Sequence, residues 1–298
     1  MTNKQIWEIA DIKINFPYFL APMAGYTDKY FRAIIRQFSC GLVYTEMVSV
    51  AGLVHRDKKT PELMNITAND HPVAVQLFGS NPADFFIAVK KVKDTGADFI
   101  DINFGCPVRK VSKQGAGAAL MKDPDRVKKI IREAVRSTDL PVTVKFRSGW
   151  DKQNINILEL SKIAEGEGVA AICIHPRTRS QGFCGEADWS LIEKVKSKIL
   201  VPIIGSGDIC CLADAKEKQA KTGCDFVMIG RSAVQFFIPE HLRLLKLKEH
   251  IENFIRDKGE KSFSQMRKFV ALYVKGLPGA AKIRALANQA KSSEEFLL

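Results

Sequence analysis

The stretch Val73–Asn103, VAVQLFGSNPADFFIAVKKVKDTGADFIDIN, contains one complete strand–helix–strand pattern. Its two short apolar runs, Val73–Phe78 and Phe99–Asn103, have the length of buried strands. Between them, apolar residues recur at helical spacing over Pro82–Asp94, which begins with the Asn-Pro signature of a helix start. A strand, a helix and a second strand in this order form the repeating unit of parallel α/β folds.

The same alternation recurs on both sides of this unit. Further apolar runs lie at Tyr18–Ala21, Leu42–Met47, Val142–Phe146, Ala170–His175, Val201–Gly205 and Phe226–Gly230. Further helical patterns lie at Asp28–Phe38, Pro124–Ser137, Leu158–Gly166, Trp189–Ile199 and Leu212–Thr222. About eight βα repeats of this length predict an α/β fold of the (β/α)₈ TIM-barrel type. A doubly wound sheet is the alternative, but it usually has fewer strands, and no G-x-G-x-x-G turn follows the first run.

The two ends of the chain depart from the alternation. The opening segment Ile9–Phe16, IADIKINF, predicts a hairpin that closes the bottom of the barrel. After Pro239 the pattern is helical only, with a break at Gly276–Gly279. We therefore predict a barrel domain over residues 1–238 and a small α-helical domain over residues 239–298.

The charge of the chain favours a polyanionic partner. Lys and Arg number 45 against 33 Asp and Glu, a formal net charge of +12. Twelve of the basic residues and only seven acidic ones follow Pro239. A nucleic acid or an anionic membrane surface would suit this excess, whereas a basic charge that merely aids solubility is the alternative.

The cysteine pattern and the hydropathy indicate a cytoplasmic protein. The chain has seven cysteines, an odd number, and none shows a metal-ligand spacing, so we expect reduced thiols and no metal site. The first twenty residues lack the layout of a signal peptide, and no apolar run reaches the roughly 18 residues of a membrane helix. We expect no membrane contact and a monomer.

Polar residues end several of the predicted strands. Because side chains alternate between the two faces of a strand, one parity points to the barrel axis. The polar residues that end a strand or share the inward parity are Glu46, Gln76, Asn103, Lys145 and His175. Burying them without partners would cost several kcal/mol, so the pattern predicts a polar ligand at the carboxyl ends of the strands. An internal hydrogen-bond network is the alternative.

Glycine-containing turns follow the last two strands, at Gly205–Asp208 and Gly230–Ser232. In TIM barrels this pair of loops commonly binds phosphate, and Arg231 would add a charged contact. A phosphate-bearing cofactor whose ring lies above or beside Gln76, Asn103 and Lys145 is typical of FMN. A lysine at the edge of that ring stabilises the reduced flavin. A salt bridge from Lys145 to Glu46 or Asp101 is the alternative.

Cys106 follows the fourth barrel strand in the segment Asn103-Phe104-Gly105-Cys106-Pro107. A thiol with the ordinary pKa of about 8.5 is mostly protonated at neutral pH and can act as a general acid. A small buried apolar role is the alternative for a free cysteine.

These motifs resemble the tRNA-dihydrouridine synthases, particularly their bacterial B-like branch. The resemblance is carried, in order along nearly the whole chain, by APMAGYTD, VQLFGSNP, DINFGCPVRKV, VKFRSGW, IHPRTR and KGLPGAA. It implies reduction of the uracil C5=C6 bond in tRNA, with NADPH reducing FMN, hydride transfer to C6, and Cys106 as the proton donor to C5. The cofactor-binding residues that it implies are Pro22, Met23, Ala24, Gln76, Asn103, Lys145, His175, Ser206, Gly207, Asp208, Gly230 and Arg231.

The bound RNA must expose its uracil and approach basic residues around the mouth. The candidates for RNA contact are Arg109, Lys110, Lys113, Arg177, Arg179, Arg267 and Lys268. The sequence departs from the family at GSGD, where the family commonly has Asn before Gly-Asp, and at Val234–Phe237. It also has Phe269 where a histidine often follows the basic pair of the tail.

Two other functions fit parts of the pattern. An FMN-dependent barrel reductase of a small pyrimidine, of the dihydroorotate type, would share the barrel, the lysine and the loop cysteine, but it leaves the basic tail unexplained. A non-enzymatic RNA-binding or chaperone protein on a barrel that has lost its activity is the second alternative, and a protein that binds no FMN would favour it.

Overall fold

Eight parallel strands form a closed barrel in the computed structural model, which describes residues 7–57 and 59–297. The strands of the preceding hairpin are β1 (Trp7–Ile9) and β2 (Ile12–Ile14). The barrel strands are β3 (Tyr18–Leu20), β4 (Val43–Ser49), β5 (Val73–Phe78), β6 (Phe99–Phe104), β7 (Val142–Arg147), β8 (Ala171–His175), β9 (Ile203–Ser206) and β10 (Phe226–Ile229). The sheet runs in the order β3-β10-β9-β8-β7-β6-β5-β4. A bridge between Phe19 and Leu42 closes it, which confirms the predicted TIM barrel.

Helices connect the strands and form the tail. Those of the barrel are α1 (Lys29–Ile35), α2 (Val50–Val54), α3 (Pro82–Lys93), α4 (Arg109–Lys113), α5 (Pro124–Arg136), α6 (Ile157–Gly166), α7 (Ser190–Lys196), α8 (Leu212–Thr222) and α9 (Ala233–Phe237). Those of the tail are α10 (Arg243–Lys258), α11 (Arg267–Tyr273), α12 (Ala280–Gln289) and α13 (Ser293–Leu297). Asp123 caps α5 through the N–H of Arg126, whereas Asn81 makes no side-chain cap on α3. Among residues 7–57 and 59–297, no helix is long and apolar enough to cross a membrane.

The apolar residues of the strands divide into two layers according to their parity. Side chains such as Ile100, Ile102 and Val144 pack with the helices in the large outer core. Residues of the other parity, such as Phe99 and Cys173, pack inside the barrel. This division is the alternation expected for barrel strands. Gln76, Asn103 and Lys145 have the parity of the interior residues, so their side chains point inward.

The hairpin closes the bottom of the barrel, as predicted. Ile9 and Ile14 are fully buried and belong to the same cluster as Phe19, Phe99 and Phe226 of the barrel interior. The interior is therefore filled from below by apolar side chains, and the polar side chains Gln76, Asn103 and Lys145 lie towards the carboxyl ends of their strands. Residues 1–6 of the opening stretch, where we predicted no signal peptide, lie outside the described residues.

A β-bulge in β4 changes which of its side chains face inward. Tyr44 pairs with Ala74 of β5, and the next paired residues are Met47 and Gln76. The chain thus advances three residues along β4 but only two along β5. The extra residue shifts the parity, so Met47 packs towards the interior beside the cluster around Cys106. Glu46, which the strand pattern placed with the inward-facing polar residues, is therefore turned away from them.

The tail packs against the first helix of the barrel through an aromatic cluster. His250 is fully buried, with its ring 4.4 Å from that of Phe269 and 5.9 Å from that of Phe31. Salt bridges from Lys29 to Asp257 and from Lys258 to Glu62 flank this contact. The boundary at residue 238 remains a prediction, since the tail and the barrel share this core.

Candidate active site

A chain of buried hydrogen bonds joins the neighbouring strands β5, β6 and β7 below the mouth of the barrel. Asp101 is fully buried and accepts hydrogen bonds from Gln76 Nε2 and from the Thr143 hydroxyl, each at 2.6 Å. Gln76 Oε1 in turn accepts from Asn103 Nδ2 at 2.8 Å. Burial raises the pKa of Asp101, while these two donors oppose the rise. Gln76 and Asn103 thus have protein partners, as the alternative of an internal network supposed.

Removing one donor from this network should destabilise the fold. We expect Thr143→Val, which keeps the shape of the side chain, to lower the free energy of unfolding by about 1–3 kcal/mol, because Asp101 Oδ1 loses its donor. Urea denaturation followed by circular dichroism measures this change. Thr143→Ser retains the hydroxyl and is the matched control; equal stability of the Val and Ser variants would contradict the role of the hydroxyl.

Lys145 and His175 lie at the mouth above this network. Lys145 is half-buried, and among residues 7–57 and 59–297 no carboxylate lies within 4.0 Å of its ammonium group. The alternative of a salt bridge to Glu46 or Asp101 is thus not observed. Burial, together with the cations Lys145, Arg147, Arg177 and Arg231, lowers the pKa of His175 to about 2. A neutral imidazole therefore stands among four positive charges.

Two buried arginines hold the loop that follows β8. Arg147 Nη1 donates to Thr178 O at 2.9 Å and to Gly182 O at 2.7 Å, and its Nε donates to Gly105 O. Arg177 is only 2% exposed and binds the Asp208 carboxylate at 2.7 Å. The Arg177 guanidinium therefore has partners inside the protein, and its contact with RNA remains a prediction.

The same loop presents an aromatic ring beside the mouth. Phe183 is 54% exposed, and the guanidinium carbons of Arg231 and Arg147 lie 4.7 Å and 5.4 Å from the centre of its ring. The ring of His175 is 6.3 Å away. Neither Phe183 nor Arg147 was among the site residues predicted from the sequence, although Arg147 shares the inward parity of Lys145.

Cys106 is fixed in a tight turn directly after β6. Its backbone N–H and that of Gly105 donate to Asn103 Oδ1, at 2.8 Å and 3.0 Å, and its carbonyl accepts from Ala118. A β-carbon on Gly117 would stand 2.9 Å from Cys106 O, so the close approach requires glycine there. Burial raises the pKa of the Cys106 thiol, which Arg147 and Lys145 partly oppose. The thiol is therefore protonated at neutral pH.

The glycine turns after β9 and β10 adjoin this group of residues. A β-carbon on Gly207, whose φ is +116°, would stand 3.0 Å from His175 Cδ2, so only glycine fits. Asp208 accepts from Arg177 and from the Ala187 N–H, and its carboxylate therefore faces protein donors. Ser206 is 8% exposed at the end of β9.

Gly230 brings the β10 turn next to the first barrel loop. A β-carbon on Gly230 would lie 3.7 Å from Ala21 Cβ and 3.9 Å from Met23 Sδ. Pro22, Met23 and Ala24 therefore line the mouth beside this turn, with Pro22 and Met23 half-buried and Ala24 exposed. The departing segment Val234–Phe237 lies within the short helix α9, with Phe237 buried in the core.

The remaining basic candidates lie in three places around the barrel and tail. Arg109, Lys110 and Lys113 are all exposed on α4, immediately after the Cys106 turn. The Arg179 guanidinium stacks over the Trp150 ring at 4.6 Å. In the tail, Arg267 donates to Ala290 O, whereas Lys268 is exposed.

Known proteins resemble this chain in sequence along most of its length. A family model described as "Dihydrouridine synthase (Dus)" matches residues 19–243. "tRNA-dihydrouridine synthase B" of Pasteurella multocida is 37% identical over 94% of this chain and 90% of its own length. The protein of the same name from Pseudomonas aeruginosa is 34% identical over 92% of this chain and 89% of its own.

A "Probable tRNA-dihydrouridine synthase 1" of Synechocystis is 34% identical over 98% of this chain and 89% of its own length. The similarity thus extends through the tail as well as the barrel. With the closed barrel, the buried thiol at 106 and the lysine at the mouth, these matches show that the chain belongs to the dihydrouridine synthase family of enzymes.

Proposed function

We propose that this enzyme reduces uridines of tRNA to 5,6-dihydrouridine, with FMN as its cofactor and NADPH as the reductant. One observation carries the proposal: the carboxyl ends of the barrel strands hold a protonated, buried thiol and a lysine with no carboxylate within 4.0 Å among the described residues. The names of the relatives, tRNA-dihydrouridine synthases, indicate the substrate. A tRNA substrate in turn supports a cytoplasmic location.

The residues at the mouth suit a flavin with an anionic phosphate. Four cations surround the neutral His175, and only Arg177 among them has a carboxylate partner among the described residues. An anion placed there would relieve their mutual repulsion. Lys145 would lie at the ring edge of FMN, while Gly230 and Arg231 would hold the phosphate.

The chemistry at the uracil requires a hydride at C6 and a proton at C5. Reduced FMN supplies the hydride when it is bound. The Cys106 thiol supplies the proton, since its raised pKa keeps the proton on sulfur until a carbanion-like C5 approaches. Asn103 fixes the turn that carries this thiol, through the two N–H bonds to its Oδ1.

The RNA has to present a base that is turned out of its stack, since a stacked uracil cannot reach the bottom of the mouth. The cations of α4 are exposed and follow Cys106 closely in the chain, and they would contact the phosphates on either side of that base. We further propose that residues 239–298 act as a domain that orients the tRNA, and that the enzyme is a monomer.

Binding of tRNA should depend strongly on salt. Replacing Arg109, Lys110 and Lys113 together by Ala should weaken binding and reduce the slope of log Kd against log salt, by roughly 0.7–0.9 for each phosphate that the variant no longer neutralises. Filter binding at several salt concentrations measures the slope. Lys128→Ala, which removes a half-exposed lysine from α5, is the control. An unchanged slope in the triple variant would exclude α4 from the RNA interface.

The proposed function is tested with the purified full-length protein. Unmodified tRNA transcripts incubated with FMN, NADPH and the protein should gain 2 Da for each uridine reduced, as nucleoside mass spectrometry detects. A small pyrimidine such as uracil or orotate should not be consumed. Absence of dihydrouridine in tRNA, or failure of the protein to take up FMN, would refute the proposal.

A further inference from the structure

The first barrel loop is held in shape by a carboxylate from the neighbouring strand. The backbone N–H of Gly25 donates a hydrogen bond to Glu46 Oε2. Inside the loop, the N–H groups of Tyr26 and Thr27 donate to Met23 O at 2.9 Å and 3.0 Å. Gly25 has a φ of +79°, which side chains rarely adopt, so the direction of its N–H depends on this turn. Glu46 is the acceptor that fixes it.

The bulge in β4 explains why Glu46 can do this. It turns Glu46 out of the inward row and places Met47 there instead. The Glu46 carboxylate is half-buried; burial and the nearby Asp28 raise its pKa, while the Gly25 N–H and the cations Lys268 and Arg32 favour its charged form. A half-buried carboxylate that accepts a backbone N–H and has cations nearby is suited to hold a backbone turn.

The tail covers the same loop from the outside. Lys268 Nζ lies 3.5 Å from the position that a β-carbon on Gly25 would occupy, and 5.5 Å from the centre of the Tyr26 ring. The Tyr26 ring packs edge-on against Phe269 at 5.6 Å. A residue of the tail thus reaches the loop whose other end, at Ala21 and Met23, adjoins Gly230.

We propose that Glu46 is a positioning residue for the flavin-binding loop, and that Lys268 of the tail is its countercharge. The helical tail is then part of the cofactor site as well as an RNA-binding element. This inference rests on the proposed function, because it requires FMN to contact Pro22–Ala24. It assigns Lys268 a role that does not depend on RNA.

The test is FMN binding to the flavin-stripped full-length protein, measured by quenching of flavin fluorescence without RNA. Glu46→Leu should weaken FMN binding about tenfold, because the Gly25 N–H loses a charged acceptor. Glu46→Gln, whose amide oxygen can still accept, should restore binding to within about threefold of the wild type. Lys268→Met should weaken binding about threefold in the wild-type background and have no effect in the Glu46→Gln background.

Lys282→Met, which removes an exposed lysine from α12 of the same tail, is the matched control and should bind FMN as the wild type does. Equal FMN affinities for Lys268→Met and Lys282→Met, or additive effects of Lys268→Met and Glu46→Gln, would overturn the inference. These two outcomes decide it even if Glu46→Leu does not fold. A wild-type protein that binds no FMN would instead refute the proposed function.

Discussion

Replacing Cys106 by Ala should lower the rate of uridine reduction about 10²–10⁴-fold, the usual contribution of a positioned general acid. The variant should still bind FMN and have its flavin reduced by NADPH, because the thiol acts only on the uracil. Anaerobic stopped-flow measurement separates the two half-reactions: flavin bleaching by NADPH reports the first, and its recovery on addition of tRNA reports the second.

Cys210→Ala is the matched control, since Cys210 is an exposed thiol in the loop before α8. It should leave both half-reactions unchanged. Normal turnover of tRNA by the Cys106→Ala variant would show that another group donates the proton.

The pH dependence of the second half-reaction follows from the same thiol. Burial raises the pKa of Cys106, so the proton is present through neutral pH and is lost only above the ordinary thiol range. We therefore expect the rate of the second half-reaction to stay level through neutral pH and to fall on the alkaline side, and this fall should be absent from the residual activity of Cys106→Ala.

Replacing Lys145 by Met should weaken FMN binding by about ten- to a hundredfold, because a partly buried charged hydrogen bond contributes about 1.5–3 kcal/mol. The same change should leave the stability of the flavin-free protein unchanged or increase it. Lys145 has no carboxylate within 4.0 Å among the described residues, so its removal breaks no salt bridge there, and its attraction for the buried Asp101 acts only at longer range. A residue held for stability alone would behave in the opposite way.

Fluorescence titration with FMN and thermal unfolding of the stripped protein measure the two effects. Lys162→Met, on the exposed face of α6, is the control and should change neither. A Lys145→Met variant that unfolds at a lower temperature yet binds FMN normally would assign the lysine to the fold instead.

Strand parity correctly predicted that several polar side chains face the barrel interior, whereas their roles in cofactor binding remain predictions. The alternation predicts that Gln76, Asn103 and Lys145 point inward. Each lies an even number of residues from another inward-facing side chain of its own strand, and these strands have no bulge. Asp101 and Thr143 share this inward parity and are fully buried. The sequence analysis offered an internal hydrogen-bond network of this kind only as the alternative to a polar ligand. Partners across strands are set by register, which a single strand does not reveal.

Three assignments depended on contacts that sequence does not contain. The bulge in β4 removes Glu46 from the inward row, and no residue of that strand marks the bulge. Arg177 is drawn inside by Asp208 and by the carbonyls of its own loop, although its motif gives no sign of burial. Lys268 belongs to the tail but meets Gly25 of the first barrel loop.

By itself, the sequence determined the barrel, the hairpin beneath it, the helical tail and the position of the thiol, since these follow from local periodicity and turn chemistry. Only the tertiary structure decided which charges are free. Among the described residues, Lys145 has no carboxylate within 4.0 Å whereas Arg177 binds Asp208, because the distance between a cation and a carboxylate depends on how separate loops converge. That convergence is a property of packing between distant segments, which local sequence patterns do not encode.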